Sequence, residues 1–265
     1  MWVIIGGLLI IAIAIIGGVL GWQKSHKASA DVSSTSAATK KGEPSIPKAT
    51  KYSVPILMYH YIRNAENEDQ LGQNLSVSPT SFNAQLKWLK ENDYETLTVA
   101  QLADPGKIEL SKIIYDKKKP VILTFDDGYE DAYTQAFPAL KKYGFIGTFY
   151  IIRNYVGKSE YMNQAQIDKL TKAGMEIGSH TLSHPNLTSL DTAAARNQIF
   201  NSKEKATTFC YPSGEYNNAI IGQVKAAGYL AAVTTNSGIA DQDSDLFQLP
   251  RVRIQNGDSL KAKLQ

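Results

Sequence analysis

The chain has 265 residues, of which 43% are hydrophobic, and it carries a formal net charge of +3. A chain of this length can bury one sizeable core, and a single domain of about 200 residues is an ordinary size. No cluster of lysine and arginine interleaved with aromatic residues stands out, so we expect no nucleic-acid partner. The one cysteine, Cys210, excludes an internal disulfide and is either a small packing residue or a reactive thiol partnered by histidine.

An apolar segment without a charged residue opens the chain at residues 2–22. About 20 apolar residues match the hydrocarbon thickness of a bilayer, so we expect a transmembrane anchor over residues 1–22. A cleaved signal peptide is the alternative, with small residues at 28–30 as its cleavage site. Either segment exports the remainder of the chain, although Lys24 and Lys27 would favour the opposite orientation by the positive-inside rule.

The rest of the chain divides into a linker and one domain. Residues 23–51 are rich in Ser, Ala, Lys, Thr and Pro and lack hydrophobic periodicity, which predicts a flexible linker. In the domain, predicted over residues 52–265, apolar runs alternate with helical patterns. Strands are predicted at 54–59, 120–125, 145–152, 175–180, 207–212, 229–235 and 249–254, and helices at 81–93, 129–144, 163–174, 190–205 and 216–228. This alternation predicts parallel strands in an α/β barrel or a doubly wound sheet.

Side chains capable of chemistry follow four of the predicted strands. Active sites of such folds form at the carboxyl ends of the strands, so these side chains are expected to meet at one edge. They are His60 after the first strand, Asp126 and Asp127 after the second, His180 after the fourth, and Pro212 and Ser213 at the end of the fifth.

Two of these segments have the composition of a metal site. His180 and His184 are four residues apart and can meet one ion in a tight turn, although two loop histidines bonded to backbone carbonyls are the alternative. Asp126 and Asp127 repel each other at the end of an apolar strand, unless a cation binds one of them. The other carboxylate can then act as a general base toward water. A solvated turn at Gly128 is the alternative, and it explains the apolar strand before it poorly.

Together, the motifs TFDDGY, SHTLSHP and FCYPSGEYN resemble those of the polysaccharide deacetylases, carbohydrate esterase family 4, over residues 52–254. The resemblance implies a distorted (β/α)7 barrel that removes acetyl groups from N-acetylglucosamine units of chitin, peptidoglycan or poly-N-acetylglucosamine. Some members instead remove acetyl esters from xylan. The implied cofactor is Zn²⁺ or another divalent transition metal. The implied roles are metal ligation by Asp127, His180 and His184, general base catalysis by Asp126, and oxyanion or substrate contact by the third motif, Tyr211, Pro212 and Ser213.

The general acid is implied by a similarity to one branch of the family. Many members carry this histidine near the C-terminus, but no histidine follows His184 here. The run ILMYHYI resembles the poly-N-acetylglucosamine deacetylases, which carry it on the first strand, and His60 is the matching residue; a core histidine is the alternative. Asp241 or Asp243 is a candidate to orient His60.

The chain also departs from the family pattern. Cys210 stands where the family has an arginine that holds the catalytic aspartate, and Arg251 or Arg253 is expected to substitute from the last strand. Leu182 and Leu249 are expected to line an acetate pocket or to pack in the core. Residues 200–207 look short for the family.

We therefore expect a metal-dependent polysaccharide N-deacetylase. The expected form is a monomer with a single-pass anchor and an extracellular catalytic domain, because a wall or extracellular polymer must be met there. This argument overrides the positive-inside rule. The alternatives are an O-acetyl esterase and a catalytically weak carbohydrate-binding protein on the same fold.

Overall fold

Seven parallel strands close into a barrel in the computed structural model, which describes residues 47–65 and 69–264. The strands are β1 (Ser53–Val54), β2 (Ile56–Tyr59), β3 (Tyr94–Thr96), β4 (Lys119–Phe125), β5 (Thr148–Ile151), β6 (Glu176–Ser179), β7 (Thr208–Cys210), β8 (Ala231–Ser237), β9 (Ala240–Asp241) and β10 (Leu249–Arg253). The barrel order is β2-β10-β8-β7-β6-β5-β4, and pairing of β4 with β2 closes it. The predicted (β/α)7 barrel is confirmed, and its seven strands are the seven predicted ones.

Helices connect most of these strands. They are α1 (Gln70–Leu75), α2 (Pro79–Glu91), α3 (Val99–Ala103), α4 (Ile108–Tyr115), α5 (Phe137–Tyr143), α6 (Gln164–Lys172), α7 (Thr192–Phe200), α8 (Asn218–Ala226) and α9 (Leu260–Leu264). The short elements α1, α3, α4, α9, β1, β3 and β9 were not predicted, because most of them span two turns or less and show no sustained periodicity. β3 extends the sheet beside the amino end of β4, and β1 pairs with β9.

Two helix boundaries differ from the sequence expectation for identifiable reasons. α2 begins at Pro79 rather than at residue 81, because Ser78 caps it by accepting a hydrogen bond from the Ser81 N–H. The helix predicted over 129–144 begins with a π-helical turn, Ala132–Ala136, before α5. Pro138 follows within the first turn of α5, and its missing N–H prevents a continuous α-helical ladder there.

A third helix, predicted over 190–205, already ends at Phe200. The Ser202 hydroxyl bonds back to the carbonyls of Gln198 and Ile199 and takes the place of the next helical turn. A groove of about 620 Å³ lies between α6 and residues 202–207 and is lined partly by Ile177 of β6. The Ser202 hydroxyl therefore ties the start of residues 200–207, the segment that looks short in the sequence, to the end of α7, and a groove lies beside this segment.

The barrel interior contains buried polar residues, whereas the apolar side chains form separate clusters. Apolar side chains fill three clusters, of which the largest packs α2 and α5 against β2, β4 and β5. Inside the barrel, the buried polar residues Thr124, Thr148, Thr208, Thr234 and Arg251 lie on β4, β5, β7, β8 and β10.

The N-terminal expectations lie largely outside the described residues. The predicted anchor at 1–22 and most of the predicted linker fall there, and within residues 47–65 and 69–264 no helix is long and apolar enough to cross a bilayer. The domain packs from before the predicted boundary at residue 52, because the Ala49 N–H donates to the Ser111 hydroxyl at 2.8 Å.

The barrel packing predicts opposite effects for two glycine-to-alanine substitutions. A Cβ at Gly178 of β6 would overlap the Tyr150 ring, whereas a Cβ at Gly222 of α8 would meet nothing within 4 Å. Gly178→Ala should lower the free energy of unfolding by about 1–3 kcal/mol. Gly222→Ala should raise it by up to about 1 kcal/mol, because alanine favours the helix. Urea titrations of both variants measure this, and equal effects would contradict the packing described for β6.

Candidate active site

The Asp126–Asp127 pair lies where β4 leaves the barrel. The Asp126 N–H donates to the Tyr59 carbonyl at 2.9 Å, which joins the end of β4 to the end of β2. Asp127 then adopts a left-handed conformation at φ 70°, and Gly128 follows at φ 82°. Gly128 approaches Ile151 so closely that a Cβ would lie 3.2 Å from its Cδ1. This turn places both carboxylates at the carboxyl edge of the barrel.

The second motif is a tight loop held from two sides. Thr181 accepts a hydrogen bond from the His184 N–H at 2.9 Å, which folds His184 back toward His180. Gln198 of α7 accepts from the N–H groups of Leu182 and Ser183 at 3.1 and 3.0 Å. The two imidazole rings therefore lie 4.7 Å apart, centroid to centroid.

Asp127, His180 and His184 meet in one cluster with the geometry of a metal site. Nε2 of His180 and Nε2 of His184 lie 3.3 and 3.6 Å from Oδ1 of Asp127. Bonds of about 2.0–2.1 Å in a tetrahedral arrangement place ligand atoms about 3.3–3.4 Å apart. Two imidazoles and one carboxylate therefore fit Zn²⁺ or a similar divalent transition metal.

The ring of His180 is oriented for ligation. Its Nδ1 lies 2.8 Å from the Cys210 carbonyl, and because a carbonyl can only accept, Nδ1 carries a proton and Nε2 is the atom that can bind an ion. Burial lowers the pKa of His180, but the Asp127 carboxylate beside Nε2 opposes burial and favours positive charge at this nitrogen. The Asp127 carboxylate beside Nε2 of His180 thus favours a bound cation. Burial, together with His180, lowers the pKa of His184, which favours a neutral ligand.

A second trio, Asp126, His180 and Cys210, also lies within ligand distance. Arg251 fills that space with its own charge: its two terminal nitrogens bind the two oxygens of Asp126 at 2.8 Å each, and one lies 3.4 Å from the Cys210 sulfur. Burial also raises the pKa of the Cys210 thiol, which keeps it protonated. The first trio is therefore the candidate metal centre, and Cys210 is a packing residue.

Asp126 is held ionised by the Arg251 guanidinium. Burial opposes its charge, but Arg251 outweighs burial and holds the pKa of that carboxyl well below its usual range. Arg251 is itself buried and also donates to the Thr234 carbonyl and the Thr124 hydroxyl. Arg251 is thus the substitute expected for the missing arginine. Arg253 lies two residues further along β10, half-buried, without a hydrogen bond to Asp126 in the described part of the chain.

His60 follows β2 and faces Asp126. Its Nε2 lies 3.8 Å from Oδ2 of Asp126, and burial lowers its pKa against the opposing charge of Asp126. Neither Asp241 nor Asp243 is placed to orient it. Asp241 of β9 pairs with Ser53 of β1, which precedes the barrel strand, so both carboxylates lie toward the opposite end of that strand.

The third motif turns sharply at the end of β7. Ser213 adopts φ 54°, and a Cβ at the following Gly214 would overlap the Thr235 side chain. Pro212 is buried. The Tyr211 side chain is fully buried in the third apolar cluster, and its hydroxyl donates to the Phe247 carbonyl at 3.1 Å. Tyr211 therefore packs beneath the motif and does not face a substrate.

The two leucines expected near an acetate pocket differ in their surroundings. Leu249 is buried in the second apolar cluster with Val233, so it packs in the core. Leu182 is half-buried rather than buried, and its N–H is held by Gln198. Gln198 is a positioning residue that sequence reasoning missed, because its partners are backbone N–H groups that leave no signature in the sequence.

Comparison with known proteins places this arrangement in a family. The sequence matches the polysaccharide deacetylase domain over residues 114–232. It is 34% identical over 218 residues to YxkH of Bacillus subtilis strain 168, a protein named for this family, covering 78% of this chain and 73% of that one. The chain is a member of the polysaccharide deacetylase family.

Two further comparisons extend the relationship to named deacetylases. A poly-beta-1,6-N-acetyl-D-glucosamine N-deacetylase of Staphylococcus aureus strain MSSA476 is 29% identical over 250 residues, covering 79% of this chain and 82% of the relative. The structure of the Streptococcus pyogenes deacetylase PplD in complex with acetate superposes with a TM-score of 0.72 at 29% identity, covering 82% of this chain and all of that one. This polysaccharide deacetylase thus shares its barrel with a deacetylase of known structure.

The Asp126–Arg251 pair predicts a stability effect that depends on pH. Arg251→Met leaves a buried carboxylate unpaired and should cost about 3–5 kcal/mol of unfolding free energy at pH 7. The wild-type Asp126 pKa is depressed, so its contribution is present above the unfolded pKa, about 3.9, and is lost only as pH falls below that value toward the folded pKa. In Arg251→Met, burial disfavours the charged form of the Asp126 carboxyl group, and protonation of that group removes the cost. The difference between the two proteins should therefore shrink toward acid pH.

Urea titrations from pH 7 down to pH 4 measure this difference. Arg253→Met is the matched control and should change the free energy of unfolding by less than about 1 kcal/mol at either pH. Arg251→Lys retains a charge and should lie between the wild type and Arg251→Met. A pH-independent cost for Arg251→Met would show that the ion pair is not what the substitution removes.

Proposed function

We propose that the protein is a metal-dependent hydrolase that removes N-acetyl groups from N-acetylglucosamine units of an extracellular or cell-wall polysaccharide. The observation that carries this proposal is the meeting of Asp127, His180 and His184 beside Asp126 and His60 at one edge of the barrel. The relative from Staphylococcus aureus, named for this reaction on poly-beta-1,6-N-acetyl-D-glucosamine, supports the substrate class.

The three ligands and their neighbours divide the chemistry between them. Zinc or a similar ion held by Asp127, His180 and His184 would supply Lewis acidity toward the acetyl carbonyl and a water molecule. Asp126, kept ionised by Arg251, accepts a proton from that water as its oxygen bonds to the acetyl carbon. The Ser213 N–H donates to the carbonyl oxygen as negative charge develops on it. These side chains and this N–H come from three strand ends, which the barrel brings together.

His60 completes the reaction at the nitrogen. The C–N bond breaks only if the departing amine receives a proton, and His60 lies 3.8 Å from the base, at the end of β2 between β4 and β10. Because burial lowers its pKa, its protonated form gives up the proton readily. The products are acetate and a glucosamine unit.

The same proposal includes the cellular setting. Residues 1–22 anchor the chain as a single span or direct its export, and the catalytic domain acts outside the membrane as a monomer. The length and apolar character of the segment support the anchor, and the location of a wall or extracellular polymer supports the orientation.

Acetate release from N-acetylglucosamine oligomers tests the proposal directly. The full chain should release acetate with added Zn²⁺ and should lose this activity with a chelator. Asp126→Asn should lower kcat by about 10²–10⁴-fold, because the base is lost. Asp243→Asn, an exposed carboxylate, is the matched control and should leave kcat unchanged. Acetate release that survives both chelation and Asp126→Asn would refute the mechanism, and no release from any N-acetyl substrate would favour a carbohydrate-binding protein.

The leaving group distinguishes amide from ester hydrolysis. An amine must be protonated as it leaves, whereas an alkoxide from an acetyl ester needs less help. His60→Ala should therefore lower kcat/KM for N-acetyl substrates by about 10²-fold or more, and that for an O-acetyl ester by a much smaller factor. Acetate release from acetylxylan and from N-acetylglucosamine oligomers measures both. A wild-type enzyme that prefers the ester, with little effect of His60→Ala, would identify an O-acetyl esterase.

A further inference from the structure

A second cavity opens beside the candidate active site. Its volume is about 220 Å³, well below the roughly 300–1,000 Å³ of sites that take drug-sized ligands. Two of its lining residues are chain neighbours of the catalytic groups: Tyr61 follows His60, and Tyr129 follows Asp127 and Gly128. The full lining is Tyr61, Arg63, Tyr129, Glu130, Asp131, Thr134 and Glu160. A polymer bound at the metal centre would therefore extend over this cavity.

Two tyrosines, Tyr61 and Tyr129, line the cavity, and a third, Tyr161, packs against Tyr129. The rings of Tyr61 and Tyr129 stack with centroids 4.0 Å apart, and those of Tyr129 and Tyr161 lie 5.0 Å apart. The Tyr129 side chain hydrogen-bonds with both Tyr61 and Tyr161. A tyrosine hydroxyl is uncharged at neutral pH and can both donate and accept a hydrogen bond. Neutral hydroxyls of this kind match the hydroxyl groups of a sugar ring.

The walls of the cavity are fixed to the first motif by backbone hydrogen bonds. The Glu130 N–H donates to the Glu160 carbonyl at 2.8 Å, and the Met162 N–H donates to the Gly128 carbonyl at 3.0 Å. Glu130 is held further by Gln166, which donates to its carboxylate at 2.8 Å. The tyrosine hydroxyls and the catalytic turn therefore keep a constant spacing, as a subsite for a polymer requires.

The charges around the cavity limit what it accepts. Glu130, Asp131 and Glu160 supply three carboxyl groups, against one guanidinium from Arg63, which stacks on the Tyr61 ring at 3.6 Å. Burial raises the pKa of Asp131 to about 6, so this group is largely ionised at neutral pH. An anionic sugar substituent would meet like charge here.

We propose that this cavity is a subsite for the sugar unit that adjoins the unit being deacetylated, and that it selects an uncharged or cationic hexosamine over one carrying a carboxylate. The inference rests on the proposed function and deepens it. In peptidoglycan the neighbouring unit bears a lactyl ether that is bulky and ends in a carboxylate or a peptide. A homopolymer of N-acetylglucosamine bears neither, so it is the substrate class that the cavity favours.

Removing single hydroxyls tests the subsite. Tyr61→Phe and Tyr129→Phe keep the stacked rings and delete one hydroxyl each, and Tyr133→Phe, on the π-helical turn, is the matched control. The measurement is kcat/KM of the full chain with Zn²⁺ on the N-acetylglucosamine tetramer and on the monomer, which cannot reach the subsite. Each test variant should lower the ratio of tetramer to monomer kcat/KM by about 3- to 10-fold, the effect of one neutral hydrogen bond. Tyr133→Phe should leave the ratio unchanged.

The outcomes separate this inference from the proposed function. A wild type that releases no acetate from any oligomer would refute the proposed function itself. A wild type that is active, with an unchanged ratio or an equal loss on tetramer and monomer in both test variants, would overturn the subsite alone. The same assay on peptidoglycan strands freed of peptides should give a kcat/KM at least about tenfold below that for the tetramer, and equal values would overturn the charge selection.

Discussion

The buried ion pair between Arg251 and Asp126 is the interaction on which the site depends. Arg251 crosses the barrel interior from β10 and contacts β8, β4 and β7 through Thr234, Thr124 and the Cys210 sulfur, in addition to both oxygens of Asp126. A buried pair of this kind costs desolvation, but removing one partner leaves an uncompensated buried charge. Here it keeps the base ionised, and its guanidinium contacts two members of the second trio, Asp126 and Cys210.

Each of the three motifs that surround this pair contains strained backbone. Asp127, Thr181, His184 and Ser213 all have positive φ values, between 54° and 70°. Each such residue costs about 1–3 kcal/mol and persists only where its surroundings fix it. The Tyr59 carbonyl and the side chains of Thr181 and Gln198 accept backbone hydrogen bonds that provide that support around the metal ligands. The fold therefore maintains a strained but fixed set of ligand atoms at the carboxyl edge of the barrel.

Sequence alone predicts the parts that follow from periodicity and strand ends. The seven barrel strands and the position of Asp126, Asp127, His180 and His60 at one edge could be predicted, since parallel strands end together. The choice between Arg251 and Arg253 could not, because both lie on one face of β10 and differ only in their position along the strand, which buries Arg251 and leaves Arg253 half-buried. The aspartates of residues 241–243 were placed wrongly because the antiparallel β1–β9 pair, which has no sequence signature, turns them away from His60.

Locating the metal ion tests the central claim most directly. Zinc-edge anomalous diffraction from crystals of the zinc-loaded protein should show one peak within about 2.0–2.2 Å of Oδ1 of Asp127, Nε2 of His180 and Nε2 of His184. Asp126 should remain paired with Arg251 beside it. A peak bound instead by Asp126 and the Cys210 sulfur, with Arg251 displaced, would contradict the account, as would zinc-dependent acetate release from a protein whose crystals show no peak at this cluster.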